Sequence, residues 1–221
     1  MKTGSFDRTA RELAAIGKRF YSRGWALGTG GNFSAVVSRK PLRLAITASS
    51  IAKGSLGPTD ILQCDDQGQV VGRRRGKPSA ETLLHVEVAS RRGAGAVLHT
   101  HSVWSTMLSD AWAGDDSALT IEGYEMLKGL AGVTSHDHRE VIPIVDNDQN
   151  IPRLARRVGD VLDRQENAHA FLVRRHGLYT WGETLADAER HVEILEFLFE
   201  AVGRTRSLAE SGRTQGGPSW R

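Results

Sequence analysis

The stretch Gly93-Ala-Gly-Ala-Val-Leu-His-Thr-His-Ser-Val-Trp104, GAGAVLHTHSVW, sets two histidines one residue apart inside an otherwise apolar run. Ala96 to His101 reads as a strand. Successive strand side chains point to opposite faces, so Val97, His99 and His101 share one face while Ala96, Leu98 and Thr100 share the other. Two imidazoles therefore stand side by side on a rigid support, and imidazole is the commonest metal ligand in proteins. Taken alone, the pair reads equally as a metal site or as two half-buried histidines satisfied by backbone carbonyls. A third ligand has to decide between them.

Outward from this strand, the chain alternates short strands with helices. Ala10, Leu13, Ile16 and Phe20 recur at helical spacing from about Asp7 to Arg23, and Gly24 is placed to end that helix. Strands are predicted over Asn32 to Ser38, Leu42 to Thr47 and Val70 to Arg73, punctuated by Lys40-Pro41 and Asp65-Asp-Gln-Gly68. Ser79 is placed to cap a helix reaching about Arg92, with Ala80, Leu84 and Val88 as its apolar stripe. Helices are expected over Val103 to Asp110, Tyr124 to Ala131 and Ile151 to Glu166. Strands are expected over Glu140 to Val145, His169 to Arg175 and Leu178 to Trp181. A last helix from near Thr184 lines up Ala188, His191, Val192, Leu195, Leu198, Phe199 and Val202. Short strands between helices give an α/β protein with a mixed, largely antiparallel sheet and helices on both sides. One catalytic domain is expected over residues 1–207, and the polar, glycine-rich residues 208–221 are expected to be a disordered tail.

The 221 residues suit one domain with a substantial core, and 39% hydrophobic with 25% charged residues is ordinary for a soluble globular chain. The lone Cys64 excludes an intrachain disulfide, and the opening MKTGSFDRTA lacks the apolar centre of a signal peptide, so a cytoplasmic location is expected. No apolar stretch approaches the roughly 20 residues of a membrane-spanning helix, so no membrane partner is expected. Net charge is only +3. The basic cluster Gly72-Arg-Arg-Arg-Gly-Lys77 has no interleaved aromatics and no nucleic-acid-binding pattern beside it, so it reads as a solvated turn and no nucleic-acid partner is expected.

Among the remaining histidines, His191 lies on the apolar face of the last helix, where a hydrogen-bonded core residue is the expectation. His136 and His138 sit in a polar approach to a strand and read as a hydrated loop, and His169, the first residue of its strand, faces the same objection to a ligand role. His176 differs, because it ends the apolar strand Ala170-Phe-Leu-Val and precedes Gly177, where the backbone can turn tightly beside a bound ion. Three neutral imidazoles leave a fourth coordination position open, the pattern of a catalytic zinc, and the set does not exclude iron, manganese or cobalt. Proton traffic also needs an acid or base. Glu81 can pair with His85 one turn on, and Glu122 and Glu125 lie at a helix start, where carboxylates often do no more than complement the dipole. Gly28-Thr-Gly-Gly-Asn-Phe-Ser34 and Thr47-Ala-Ser-Ser-Ile-Ala-Lys53 offer amides, hydroxyls and an ammonium to an anion, or are two ordinary turns. Trp104, Trp112 and Trp181 are available apolar surfaces.

Read together, GTGGNFS from Gly28, ITASSIAKG from Ile46, KPSAETLLH from Lys77, GAGAVLHTHS from Gly93, IEGYEMLKG from Ile121 and FLVRRHGLYTWG from Phe171 resemble the class II aldolase/adducin family. The resemblance runs from about Leu13 to Phe199. HTHS with the later RRHG carries it most strongly, and YEMLKG followed by PIVDN points to dehydratases rather than aldolases. The resemblance implies a three-layer α/β/α fold around a mostly antiparallel sheet, a homotetramer with sites near subunit interfaces, and a sugar-phosphate substrate. It implies one Zn2+ per subunit on His99, His101 and His176. It places a catalytic acid/base on Glu125. Glu81 matches the carboxylate that aldolase relatives use beside the metal, where some dehydratases carry cysteine; it is left to position substrate, assist zinc or share proton transfer. Phosphate binding falls on Gly31, Asn32, Ser49, Ser50 and Lys53, with Ser79 beside them. A sugar-phosphate aldolase or 4-epimerase is the rival activity, and a non-enzymatic relative of the adducin head type is the rival without one.

Overall fold

A computed structural model describes residues 3–112 and 117–214. Nine strands form one sheet, here numbered in chain order: β1 Asn32–Arg39, β2 Leu42–Thr47, β3 Ile61–Cys64, β4 Val70–Val71, β5 Ala96–Thr100, β6 Ala118–Ile121, β7 Glu140–Val145, β8 Ala170–Val173 and β9 Gly177–Gly182. Their spatial order is β4-β3-β2-β1-β5-β9-β8-β7-β6. Only β7 and β8 run parallel, joined by the helix Ile151–Arg164; the other neighbours are antiparallel. The sheet is thus mixed and mostly antiparallel, and the histidine strand β5 lies at its centre, between β1 and β9.

Five helices cover the two faces: α1 Thr3–Ser22, α2 Thr82–Arg91, α3 Val103–Ala111, α4 Ile151–Arg164 and α5 Leu185–Thr214. Val97, Phe171, Val173 and Tyr179 point to the face where Leu84, Val88, Leu154 and Val158 of α2 and α4 pack. Ala96 and Leu98 point to the other face, against Leu13, Phe20, Ala188 and Val192 of α1 and α5. Further along that second face, Leu172 and Leu178 meet Leu108 of α3 and Leu195, Leu198 and Phe199 of α5. The strict alternation along β5 sends His99 and His101 to the side of α2 and α4. Covering both faces explains why β8 and β9 read as continuous apolar runs: every residue in them is buried.

Several elements differ from the sequence reading. The segment expected as a helix over Tyr124 to Ala131 is only a 3-10 turn, Glu125–Gly129. Gly123 and Gly132, both at positive φ, bracket a run too short to hold an α-helix. Ser79 does not cap α2; Glu81 is its N-cap residue, while the Ser79 hydroxyl accepts the Glu81 N–H at 3.2 Å in the turn before it. The last helix continues through residues 208–214, the first part of the stretch expected as a tail, because a helix already packed on the core propagates at little cost per residue. Residues 215–221 of that expected tail lie outside the described residues. Among the described residues, no helix is long and apolar enough to cross a membrane.

Candidate active site

His101 leaves the C-terminal end of β5, and His176 occupies the turn between β8 and β9 beside it. Two glycines make that approach feasible. A Cβ on Gly177 would lie 2.0 Å from the Thr100 carbonyl oxygen, and one on Gly31, at φ +75°, would lie 2.6 Å from that of His99. Only glycine lets these backbones touch the histidine strand so closely. Arg175, at φ 54°, bears the turn's strain immediately before His176.

Three imidazoles converge through the same atom. His101 Nε2 lies 2.7 Å from His99 Nε2 and 3.0 Å from His176 Nε2, and His99 and His176 are 3.3 Å apart. His99 Nδ1 donates to the Leu178 carbonyl at 2.8 Å, so its Nε2 keeps a bare lone pair directed at the other two. The His99 ring also stacks on Tyr179, centroids 3.8 Å apart at 11°, and Tyr179 stacks on Phe171. Burial, reinforced by the neighbouring His101 and His176, holds the imidazolium form of His99 far from accessible. Burial, with His176 and the Lys53 ammonium, brings His101 down to about 4. Neutral rings with converging lone pairs are the ligand form of histidine. Glu81 joins them, with Oε1 3.3 Å from His176 Nε2 and Oε2 3.5 Å from His99 Nε2. The four ligand atoms lie within 4.8 Å of one another. Three imidazoles and a carboxylate fit a divalent metal ion.

Beside this cluster opens a cleft of about 370 Å³. It gathers all the residues expected at a phosphate: Gly31, Asn32, Ser49, Ser50, Lys53 and Ser79. They come from three separate segments, and pairing of β1 with β2 together with the Ala48–Pro78 bridge draws those segments to one rim. Lys53 is almost wholly buried, and its ammonium donates to the carbonyls of Thr29 at 2.8 Å and Ile51 at 3.1 Å. Burial lowers its pKa to about 8, so it stays largely cationic at neutral pH with one proton to spare for an anion. Asn32 lines the cleft, but its side-chain amide donates to Glu81 Oε2 at 2.7 Å and faces His85 with its oxygen. His85 is therefore not a surface partner of Glu81; it is fully buried and linked to Glu81 through Asn32.

Glu125 is not brought to the histidines. β6 runs antiparallel to β7 and delivers the chain to the Glu140 end of the sheet, opposite the end where His101 and His176 emerge. There Glu125 is exposed, paired with Lys128 and 3.9 Å from His136. Its turn is pinned to the far end of β9: the Ala131 N–H donates to His191 Nε2, and His191 Nδ1 donates to the Trp181 carbonyl. His191 is thus the satisfied core histidine its helix face predicted. His138, expected in a hydrated loop, and His169, expected at the start of its strand, both flank the buried carboxylate of Glu140, at 2.8 and 2.9 Å. Sequence reasoning did not single out Asp148 and Gln149, which line the cleft with Asn147; their one signal was adjacency to PIVDN. None of the three tryptophans lines it.

The sheet order, the two helical layers and the histidine cluster at one end of β5 define the class of protein. The chain belongs to the class II aldolase and adducin family, whose model, the class II aldolase and adducin N-terminal domain, matches residues 11–202. Within that family it is 46% identical over 209 residues to a methylthioribulose-1-phosphate dehydratase of Methylococcus capsulatus, covering 94% of this chain and 99% of that one. It is 43% identical to the protein of the same name from Pseudomonas aeruginosa, over 92% of this chain and 97% of that one. The fold matches the crystal structure of L-fuculose-1-phosphate aldolase from Thermus thermophilus with a TM-score of 0.69 at 22% identity, covering 94% of this chain and 98% of that one.

Proposed function

We propose that this protein is a zinc-dependent methylthioribulose-1-phosphate dehydratase of methionine salvage. It removes water from 5-methylthioribulose 1-phosphate to give 2,3-diketo-5-methylthiopentyl 1-phosphate, as a cytoplasmic homotetramer with one zinc ion per subunit. The observation that carries this reading is the convergence of His99, His101, His176 and Glu81 beside a cleft that also holds the Gly31, Ser49, Ser50 and Lys53 cradle. A metal-ligand set and an anion-binding wall within one small cleft suit a phosphorylated sugar held by both ends. The dehydratase name of the relatives selects the reaction.

His99, His101 and His176 would hold the metal, which when bound would supply Lewis acidity to the sugar end of the substrate. The Lys53 ammonium, the hydroxyls of Ser49, Ser50 and Ser79, and the backbone at Gly31 bind the phosphate and fix the distance from it to the metal end. Glu81 sits where it can orient the sugar or take the proton from the third carbon. Glu125 protonates the hydroxyl departing from the fourth carbon, and because it lies at the opposite end of the sheet it does so from a neighbouring subunit. The enol left when water departs tautomerises to the diketone.

The test is incubation of zinc-loaded protein with 5-methylthioribulose 1-phosphate, with products followed by mass spectrometry. Loss of one water, abolished by a chelator, is expected. Release of dihydroxyacetone phosphate would make the protein an aldolase, and untouched substrate would overturn the assignment.

A further inference from the structure

We infer that Ser34 and His85 form, with Asn32, a buried hydrogen-bond relay that positions the Glu81 carboxylate against the histidine cluster. The inference rests on the reading of the site given above, and it makes Ser34 and His85 positioning residues for that site.

The relay can be traced atom by atom. Glu81 Oε2 accepts from Asn32 Nδ2 at 2.7 Å. A carboxylate is an acceptor only, so the amide must turn its nitrogen to Glu81 and its oxygen away. That oxygen meets His85 Nε2 in a close hydrogen bond. An amide oxygen cannot donate, so Nε2 carries the proton. His85 Nδ1 lies 2.8 Å from the Ser34 hydroxyl. His85 is fully buried, and burial holds its pKa down to about 3, so the ring is neutral and Nδ1 is an acceptor. Ser34, also fully buried, then donates to it at 2.8 Å in preference to the Val97 carbonyl, which lies 3.5 Å from the same hydroxyl. Every donor in the series points the same way, from Ser34 through His85 and Asn32 to Glu81.

A chain with one allowed polarity fixes the amide of Asn32 against rotation, and the fixed amide fixes Glu81. Without it, Asn32 could turn its oxygen toward the carboxylate and push it off the cluster. The three relay residues come from rigid elements, β1 and α2, while Glu81 itself stands in the turn before α2. Outer-shell partners of this kind commonly govern metal affinity or turnover by about 10–100-fold.

The test combines a spectroscopic reading with variants. In uniformly 15N-labelled wild-type protein, imidazole NMR should show His85 neutral with its proton on Nε2; a proton on Nδ1 would reverse Asn32 and overturn the relay. His85→Phe fills the same space without polar atoms, and His85→Gln keeps a donor near Nε2. His85→Phe should weaken zinc affinity and lower kcat by about 10-fold or more with little change in KM. His85→Gln should restore most of both, although the two variants disturb the core alike and lose similar thermal stability without metal. Equal effects of Phe and Gln, or none from either, would reduce His85 to a packing residue. Should His85→Phe fail to fold, the tautomer in the wild type still decides. If the wild type does not dehydrate the substrate, the functional assignment fails, while the tautomer and zinc affinities continue to test the relay.

Discussion

Each histidine of the cluster is defined by what its other nitrogen and its neighbours do. His99 is fixed by the Leu178 carbonyl, and His176 is brought in by a turn that closes only because residue 177 lacks a side chain. His176→Ala is expected to lose most of its bound zinc, read by metal analysis of the purified protein; unchanged zinc content would break the three-histidine set. Glu125→Gln is expected to keep its zinc and lose turnover, since its carboxylate touches none of the ligands in its own chain. Retained turnover would remove Glu125 from the chemistry. Protonation gives a further expectation. His85 is held from an ordinary 6.5 down to about 3 by burial, so between those values the unfolded chain takes up a proton that the folded chain refuses. Stability therefore falls as pH drops from about 6.5 toward 3, by about 1.4 kcal/mol per pH unit for a histidine at full effect. His101 acts in the same direction. Urea midpoints of metal-free protein at pH 7 and pH 5 should separate less in His85→Gln than in the wild type.

At the scale of elements, strands and helices with a clear period are legible from the residues, and most short ones are not; the two-residue β4 opens the run expected over Val70 to Arg73. β1, β2, β5, β7, β8 and β9 follow from apolar runs bounded by glycine, proline or polar turns. The four-residue strands β3 and β6 do not, because so short an apolar run carries no period and its pairing partner lies far along the chain. The 3-10 turn of Glu125–Gly129 has a helix-like composition, and the flanking glycines alone mark it as too short. The β8–β9 turn is the most demanding local element. Gly177→Ala would place a Cβ 2.0 Å from the Thr100 oxygen, forcing the turn away from β5. A loss of about 2–3 kcal/mol is expected, with Tm lower by about 5–10 °C and weaker zinc binding. A wild-type melting curve for Gly177→Ala would mean that the approach is not tight.

The whole molecule separates its groups by the length of the sheet. The histidine cluster and the cleft beside it lie at one end of β5 and β9, and Glu125 lies at the other. In the proposed homotetramer, a closed ring of subunits meeting head to tail would let one end complete the other, as heterologous contacts do. Co-producing His176→Ala with Glu125→Gln should then restore activity, because some sites combine an intact cluster from one subunit with an intact Glu125 from the next; random mixing gives about a quarter of the wild-type sites. Two inactive variants that stay inactive together would overturn the sharing of the site between subunits. The residues by themselves determined the α/β class, the shared face of His99 and His101, the singularity of His176 before a glycine, and the buried face of α5. These follow from side-chain periods and backbone freedom within a few positions. Only the tertiary structure decided that Glu81 stands at the histidines while Glu125 does not, that Asn32 serves Glu81 through its amide, and that three glycine- and serine-bearing segments share one cleft. Such facts depend on which strands pair and at which end a loop emerges, and pairing across tens of residues leaves no local trace in the sequence.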